Sequence, residues 1–179
     1  MWARTAWRRP SASSASSGSA TSFNNIGDEC AAALASALRV NEVLTDLSLS
    51  CNKIGAEGAT AIAESLRGNT SLALENCGIG PTGAAEIAEY VSGSGVLTDL
   101  NIGGNKISDE GATAIAEALR GNGVMTNLNL NSNNIHDEGA KAIGEALRVN
   151  GVLTALDLRF NGLGDEGKGV IRDAVSGRE

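Results

Sequence analysis

The chain has few aromatic residues, one histidine, three cysteines and no long apolar run. Aromatic residues make up 3% of its 179 residues, so its core must consist of leucine, isoleucine, valine and alanine, and large interface anchors are scarce. A single histidine, His136, argues against histidine-based catalysis and zinc binding. No apolar run approaches the roughly 18 residues of a membrane span. We therefore expect neither an enzyme nor a membrane protein, and no metal or cofactor.

The cysteines Cys30, Cys51 and Cys77 are odd in number and form no Cys-x-x-Cys pair. A disulfide framework needs paired cysteines, and a zinc site needs closely spaced ones. The pattern indicates reduced thiols in an intracellular protein, and we expect a cytoplasmic location.

The charge of the chain is negative and unevenly distributed. Fourteen basic and 21 acidic residues give a net charge of −7, but Arg4, Arg8 and Arg9 precede the first acidic residue, Asp28. The rest of the chain therefore has 11 basic and 21 acidic residues. Such a surface repels phosphate groups, which argues against a nucleic-acid partner.

The first 22 residues differ in composition from the remainder. They are rich in serine, alanine and arginine and contain no acidic residue. Such a segment cannot bury enough apolar area to offset its ordering entropy, so we predict a disordered tail. An organelle transit peptide has the same composition and is the alternative, which would imply import. Residues 23–179 are predicted to form one repeat domain.

The remainder of the chain repeats itself. The segment Leu97–Val124 returns with few changes as Met125–Val152, and shorter versions begin at Leu44 and Leu153. Aligned on one Asn or Cys per unit, the repeats are 28, 25, 28, 28 and 28 residues apart, with anchors at Asn24, Asn52, Cys77, Asn105, Asn133 and Asn161. Such periodicity is typical of a solenoid.

Each unit is predicted to contain a strand, a turn and a helix. Leu100 and Ile102 alternate with polar residues, as in a strand with one buried face. Ala112, Ile115 and Leu119 lie on one stripe of a helix. Stacked units form a parallel sheet covered by helices, because a single unit cannot bury its apolar face alone. The fold class is therefore α/β, with five strands and six helices, since the first unit lacks strand leucines at Ser19 and Thr21.

Pro81 locates the helix starts, because proline is tolerated at the first helical position, where no intrahelical donor is needed. The predicted N-caps follow by register: they are Gly27, Gly55, Gly80, Ser108, His136 and Gly164. Acidic pairs then begin three of the helices, and arginines end three: Asp109/Glu110, Asp137/Glu138 and Asp165/Glu166, and Arg67, Arg120 and Arg148. We interpret the acidic pairs as solvated residues that favour the helix dipole, with a divalent-cation site as the alternative.

The segment Gly78–Gly83 also matches G-x-G-x-x-G, a pattern typical of dinucleotide binding. Gly80 coincides with a predicted helix cap, and the position of Gly83 is glycine in the other full repeats. The repeat accounts for the motif, so nucleotide binding is the weaker interpretation.

The units resemble leucine-rich repeats of the ribonuclease-inhibitor-like subfamily, found also in Ran GTPase-activating proteins and NOD-like receptors. The resemblance covers residues 24–179 and rests on L-x-x-L-x-L-x-x-N/C-x-I/L followed by G-x-E-G-A-x-x-I-A-x-x-L. It implies a horseshoe arc with a protein-binding concave sheet. It also implies that the anchor side chains bond backbone groups in each turn, a ladder formed by Asn52, Cys77, Asn105, Asn133 and Asn161. The Cys77 unit departs from the pattern: it is three residues short, and its first strand leucine becomes Asn69.

Alternate strand residues should point outward on the concave face. The resulting candidate binding residues are Asp46, Ser48, Ser50, Ala73, Glu75, Asp99, Asn101, Gly103, Asn127, Asn129, Asn131, Ala155, Asp157 and Arg159. This surface is polar and acidic, which favours a protein partner with a basic surface. We therefore predict a non-enzymatic protein-binding module of undetermined oligomeric state. The alternatives are a GTPase-activating regulator of a Ran-like GTPase and a structural fragment of a larger innate-sensing or cytoskeletal repeat protein.

Overall fold

A computed structural model describes residues 24–176 of the chain. The predicted tail, residues 1–22, and the strand-deficient positions of the first unit lie outside the described residues. The described part contains helices and strands in alternation: α1 (Asp28–Leu38), β1 (Asp46–Ser48), α2 (Ala56–Ser65), β2 (Ser71–Ala73), α3 (Gly80–Gly93), β3 (Asp99–Asn101), α4 (Ser108–Gly121), β4 (Asn127–Asn129), α5 (Asp137–Val149), β5 (Ala155–Asp157) and α6 (Asp165–Ser176).

The five strands form one parallel sheet in the order of the sequence. Each strand pairs with the same position of the next, so Leu72 is the neighbour of Leu100, and Leu100 of Leu128. Equivalent leucines therefore stack in one row on the buried side of the sheet. This arrangement confirms the predicted α/β solenoid with five strands and six helices.

The helices cover that side with the predicted stripe of small and aliphatic residues. In α4, Ala112, Ile115 and Leu119 are fully buried. The helix layer is close-packed, because a glycine of each later helix faces an alanine of the preceding one. A Cβ placed on Gly111 would lie 2.9 Å from the Ala84 Cβ. A side chain at this position would push neighbouring helices apart.

The short repeat changes the end of α2. This helix has 10 residues and ends at Ser65, whereas α3 and α4 have 14 each. Arg67 therefore lies beyond the helix, which corrects its predicted place in the last turn. Asn69 takes the buried position of the missing leucine, and its side-chain amide donates to the Leu44 carbonyl at 2.8 Å.

The helix starts are of two kinds. Helices α1, α2 and α5 begin after extended N-cap residues, as predicted. In α3 and α4 the helical hydrogen bonds begin one residue earlier, so Gly80 and Ser108 lie inside the helices and are not their caps. Both residues have positive φ, 62° and 55°, and each donates its N–H to the carbonyl of the next anchor, Asn105 or Asn133.

No helix in residues 24–176 is both long and apolar enough to cross a membrane.

Candidate binding face of the sheet

The strand residues that alternate with the buried leucines line the sheet face opposite the helices, which we call the open face. Most of the predicted binding residues on this face are accessible: Asp46, Ser48, Ser50, Ala73, Glu75, Asp99, Asn127, Asn131 and Ala155 are half-buried, and Arg159 is exposed. The strands thus bring these side chains together on one continuous surface.

Four predicted members of the open face are buried, which corrects their assignment as exposed: Asn101, Gly103, Asn129 and Asp157. The three side chains turn back onto their own strand. Asn129 is 2% exposed, and its oxygen accepts the Asn131 N–H at 3.0 Å. Asn101 and Asp157 accept the N–H two residues later in the same way. Their polar atoms stabilise the turn after each strand, so strand alternation alone overestimates their accessibility.

Hydrogen bonds between strands orient the accessible residues. The Asn101 amide donates to the Glu75 carboxylate at 3.2 Å, and the Asn127 amide donates to that of Asp99. The Thr98 hydroxyl also donates to Asp99, at 2.6 Å. Cross-strand pairs of this kind restrict side-chain rotation. The carboxylates of the central strands are therefore held in place before any partner binds.

One ion pair lies at the end of the open face. The Arg159 guanidinium donates to both oxygens of Asp157, whose side chain is almost fully buried. Burial alone would raise the pKa of Asp157, but the hydrogen bonds and positive charge of Arg159 outweigh it and lower that pKa below its usual value. Asp157 is therefore ionised and neutralised by its neighbour at physiological pH.

Three other carboxylates of the open face have no such neighbour. Asp46, Glu75 and Asp99 take part in none of the ion pairs found in residues 24–176. Asp46 and Asp99 are the first residues of β1 and β3 and share one register row through Ser71, and Glu75 lies two residues beyond the end of β2. The open face thus presents three uncompensated negative charges, which would attract cationic side chains of a partner.

The anchor residues lie at the edge of the sheet where the strands turn toward the helices. The Asn105 oxygen accepts the N–H groups of Cys77 and Gly78, both at 2.9 Å, and its amide donates to the Leu74 carbonyl of the preceding repeat at 2.8 Å. Asn133 and Asn161 form the equivalent bonds one and two repeats later. Each asparagine thus links its repeat to the previous one.

Cys77 replaces asparagine in the third unit and forms fewer bonds. Its thiol donates to the Leu49 carbonyl at 3.3 Å. Burial raises the pKa of this thiol, so it stays protonated and unreactive.

A second set of links was missed at the sequence level. The Asp109 carboxylate accepts the N–H groups of His136 and Gly139, at 2.8 and 2.9 Å, and so caps the helix of the following repeat. Asp28 and Asp137 cap α2 and α6 in the same way. The interpretation of Asp109 and Asp137 as merely solvated helix starts is therefore wrong. A detectable signal was an aspartate followed by glycine 30 residues later.

A third set lies where each helix leads into the next strand. The Asn150 oxygen accepts the N–H groups of Val152 and Leu153, and its amide donates to the Leu119 and Asn122 carbonyls. Asn122 bonds its own turn and the preceding repeat in the same manner. The recurring Asn-Gly-Val that begins at Asn122 and at Asn150 was the available signal.

The Gly78–Gly83 motif and His136 both have structural roles within the repeats. The Gly80 N–H, which a phosphate would need, donates to the Asn105 carbonyl at 3.1 Å. His136 is the N-cap of α5, and its ring lies 3.5 Å from the Asp109 carboxylate. Within residues 24–176, no three histidine, cysteine or carboxylate side chains form a group that could hold a metal ion.

A family model described as leucine-rich repeat matches five segments of the chain, residues 40–63, 70–88, 96–116, 121–144 and 149–167. This model covers leucine-rich repeats in general, so the narrower ribonuclease-inhibitor-like resemblance remains a prediction. No curated protein sequence matches the chain.

Among solved structures, 70 chains match. The tropomodulin C-terminal domain of Caenorhabditis elegans has a TM-score of 0.69 and 15% sequence identity, and the match covers 82% of this chain and 91% of that one. A structure described as leiomodin-1 actin-binding site 2 has a TM-score of 0.47 and 22% identity, over 87% and 77% of the two chains. At these identities the likeness is one of fold.

Proposed function

The chain belongs to the leucine-rich repeat family, and from this we propose that its open face binds another protein without catalysing a reaction. The uncompensated carboxylates of Asp46, Glu75 and Asp99 carry the proposal. These groups are accessible, lie in or just after three neighbouring strands, and are oriented by neighbouring hydroxyl and amide groups. A rigid acidic surface lowers the entropic cost of binding.

The partner we propose is a protein with a basic surface patch. Lysine and arginine side chains can pair with carboxylates that have no cation of their own. Accessible amides such as Asn127 and Asn131 add hydrogen-bonding capacity around the charges. Because the face has no aromatic residue, binding depends on charge and shape complementarity more than on large apolar anchors.

The other expectations remain proposals. None of the comparisons supports a GTPase-activating role toward a Ran-like GTPase, and no contact in the described residues favours one. We keep the ribonuclease-inhibitor-like subfamily as the narrower assignment, which the 13- and 14-residue helices of the fuller repeats support. A cytoplasmic location also remains an expectation.

The test compares charge reversal on the two sides of the sheet. In the first variant Asp46, Glu75 and Asp99 are changed to lysine. The matched control changes Glu86, Glu110 and Glu117, which are exposed on helices, to lysine. Both variants alter the net charge equally, and circular dichroism establishes that each is folded.

Affinity capture with quantitative mass spectrometry then compares the proteins retained by each form. We expect basic proteins retained by the unaltered chain to be lost from the open-face variant and kept by the helix variant. Raising the salt concentration should release them, because the interaction is electrostatic. Equal retention by all three forms would remove the open face as the binding surface.

A further inference from the structure

The outer edge of β5 carries two backbone N–H groups whose equivalents on β1, β2, β3 and β4 are hydrogen-bonded to the next strand. The N–H groups of Leu130 and Ser132 donate to the carbonyls of Asp157 and Arg159 on the next strand, at 2.9 and 3.0 Å. The same two bonds join each earlier pair of strands. On β5 the equivalent donors are Leu158 and Phe160, and neither has an acceptor in the described part of the chain. An open parallel edge of this kind can accept one more strand.

An apolar groove lies next to this edge. Between β5 and α6 there is a groove of about 560 Å³, lined on its apolar sides by Leu156, Leu158, Leu163, Ile171 and Val175. Phe160, which is 82% exposed, also lines this groove. The equivalent residue one repeat earlier is Ser132. A large aromatic side chain exposed beside an apolar groove is typical of a binding surface.

The polar lining of the groove is basic, although the chain as a whole is acidic. Lys168, Arg159 and Arg172 line it, and Asp157, the only carboxylate there, is already paired with Arg159. Lys168 and Arg172 form none of the ion pairs found in residues 24–176. The groove therefore favours an occupant with carboxylates.

The end of the helix layer does not fit the first helix of a second copy of this chain. Between α5 and α6, a Cβ on Gly167 would lie 3.0 Å from the Ala140 Cβ, so an alanine faces a glycine. The residue of α6 equivalent to Ala140 is Lys168, and the residue of α1 equivalent to Gly167 is Cys30. Stacking α1 of a second copy on α6 would press these two larger side chains together. The first 23 residues are also unsuitable, because their arginines have the same charge as the groove.

We propose that the β5 edge and its groove form a second docking site, which binds an extended segment of a partner protein with apolar and acidic side chains. The segment adds a strand parallel to β5. Its carbonyls accept the N–H groups of Leu158 and Phe160, its apolar side chains fill the groove, and its carboxylates approach Lys168 and Arg172. This site borders the open face at Ala155, Asp157 and Arg159, but it does not depend on the function proposed for that face.

Two synthetic peptides test the proposal with the full-length chain. Both alternate leucine with threonine; one has two aspartates at each end, and the other has two lysines there. Fluorescence anisotropy measures their affinities, and hydrogen exchange by NMR follows the Leu158 and Phe160 amides. We expect the aspartate peptide to bind at least about tenfold more tightly and to protect both amides.

Three variants assign the contacts. Phe160→Ser reproduces the residue at position 132 and should weaken aspartate-peptide binding about tenfold. The double variant Lys168→Glu/Arg172→Glu should reverse the preference in favour of the lysine peptide. The triple open-face variant should bind the aspartate peptide as the unaltered chain does, which separates this site from the carboxylates of the open face. Absence of amide protection, or equal affinity for both peptides, would overturn the proposal.

Discussion

At the scale of single residues, the two kinds of helix start have one cause. A helix begins with extended geometry where the preceding repeat supplies an aspartate, as Asp109 does for α5. For α3 and α4, the preceding repeat has Ala56 or Pro81 at the position of this aspartate, so it supplies no carboxylate. The first residue of each of these helices has a positive φ and donates its N–H to the carbonyl of the next anchor. Both arrangements satisfy the first amides of the helix, as the orphan donors of a helix start require.

This difference predicts unequal effects of removing the aspartates. Asp109→Ala should lower the free energy of unfolding by about 2 kcal/mol, because a capping bond is lost and His136 would have to adopt the unfavourable positive φ. Asp137→Ala should cost only about 0.5–1 kcal/mol, because glycine at position 164 adopts that conformation readily. Urea denaturation measures both values.

Two further variants test the explanation. Asp165→Ala is the matched control and should change stability by less than about 0.5 kcal/mol, since α6 is the last described helix. Adding His136→Gly to Asp109→Ala should recover part of the loss. If Asp109→Ala and Asp137→Ala are equally destabilising, the account of the two helix starts is wrong.

At the scale of elements, the repeat pattern was sufficient to predict strands, helices and their order, because the leucine and alanine stripes report the buried side directly. The boundaries depended on contacts between repeats, which one repeat does not reveal. The early end of α2 follows from the shorter repeat and a buried Asn69. On the open face, alternation placed Asp99 correctly on an accessible position, but it did not reveal that Asn129 bonds back to its own turn.

The turn between α5 and β5 allows a graded test of these inter-repeat bonds. Asn150 holds its own turn through its oxygen and the preceding repeat through its amide. Serine stands at the equivalent position 94 and accepts only from Val96 and Leu97 of its turn. Asn150→Ser should therefore cost about 1–2 kcal/mol of unfolding free energy, and Asn150→Ala about 1 kcal/mol more. Chemical denaturation measures both, and equal losses would show that the turn bonds contribute nothing.

At the scale of the whole molecule, the arc is a linear stack in which each helix packs against its sequence neighbours. The stability of such a stack is close to a sum of repeat and interface contributions. Its interfaces are unequal, because α1 and α2 have 11 and 10 residues whereas α3 and α4 have 14 each. The first two helices therefore bury less apolar surface than the central ones.

Native-state hydrogen exchange should resolve this inequality as stepwise opening. We expect amides of α1 and α2 to exchange through a partial opening of lower free energy, and amides of α4 to exchange only through global unfolding. Ile115→Ala in the buried stripe of α4 should lower the global free energy by about 2–5 kcal/mol, whereas Ile62→Ala should mainly increase exchange in α1 and α2. Uniform protection along the chain would instead mean that the six helices open as one unit, so that the short repeat introduces no weak joint.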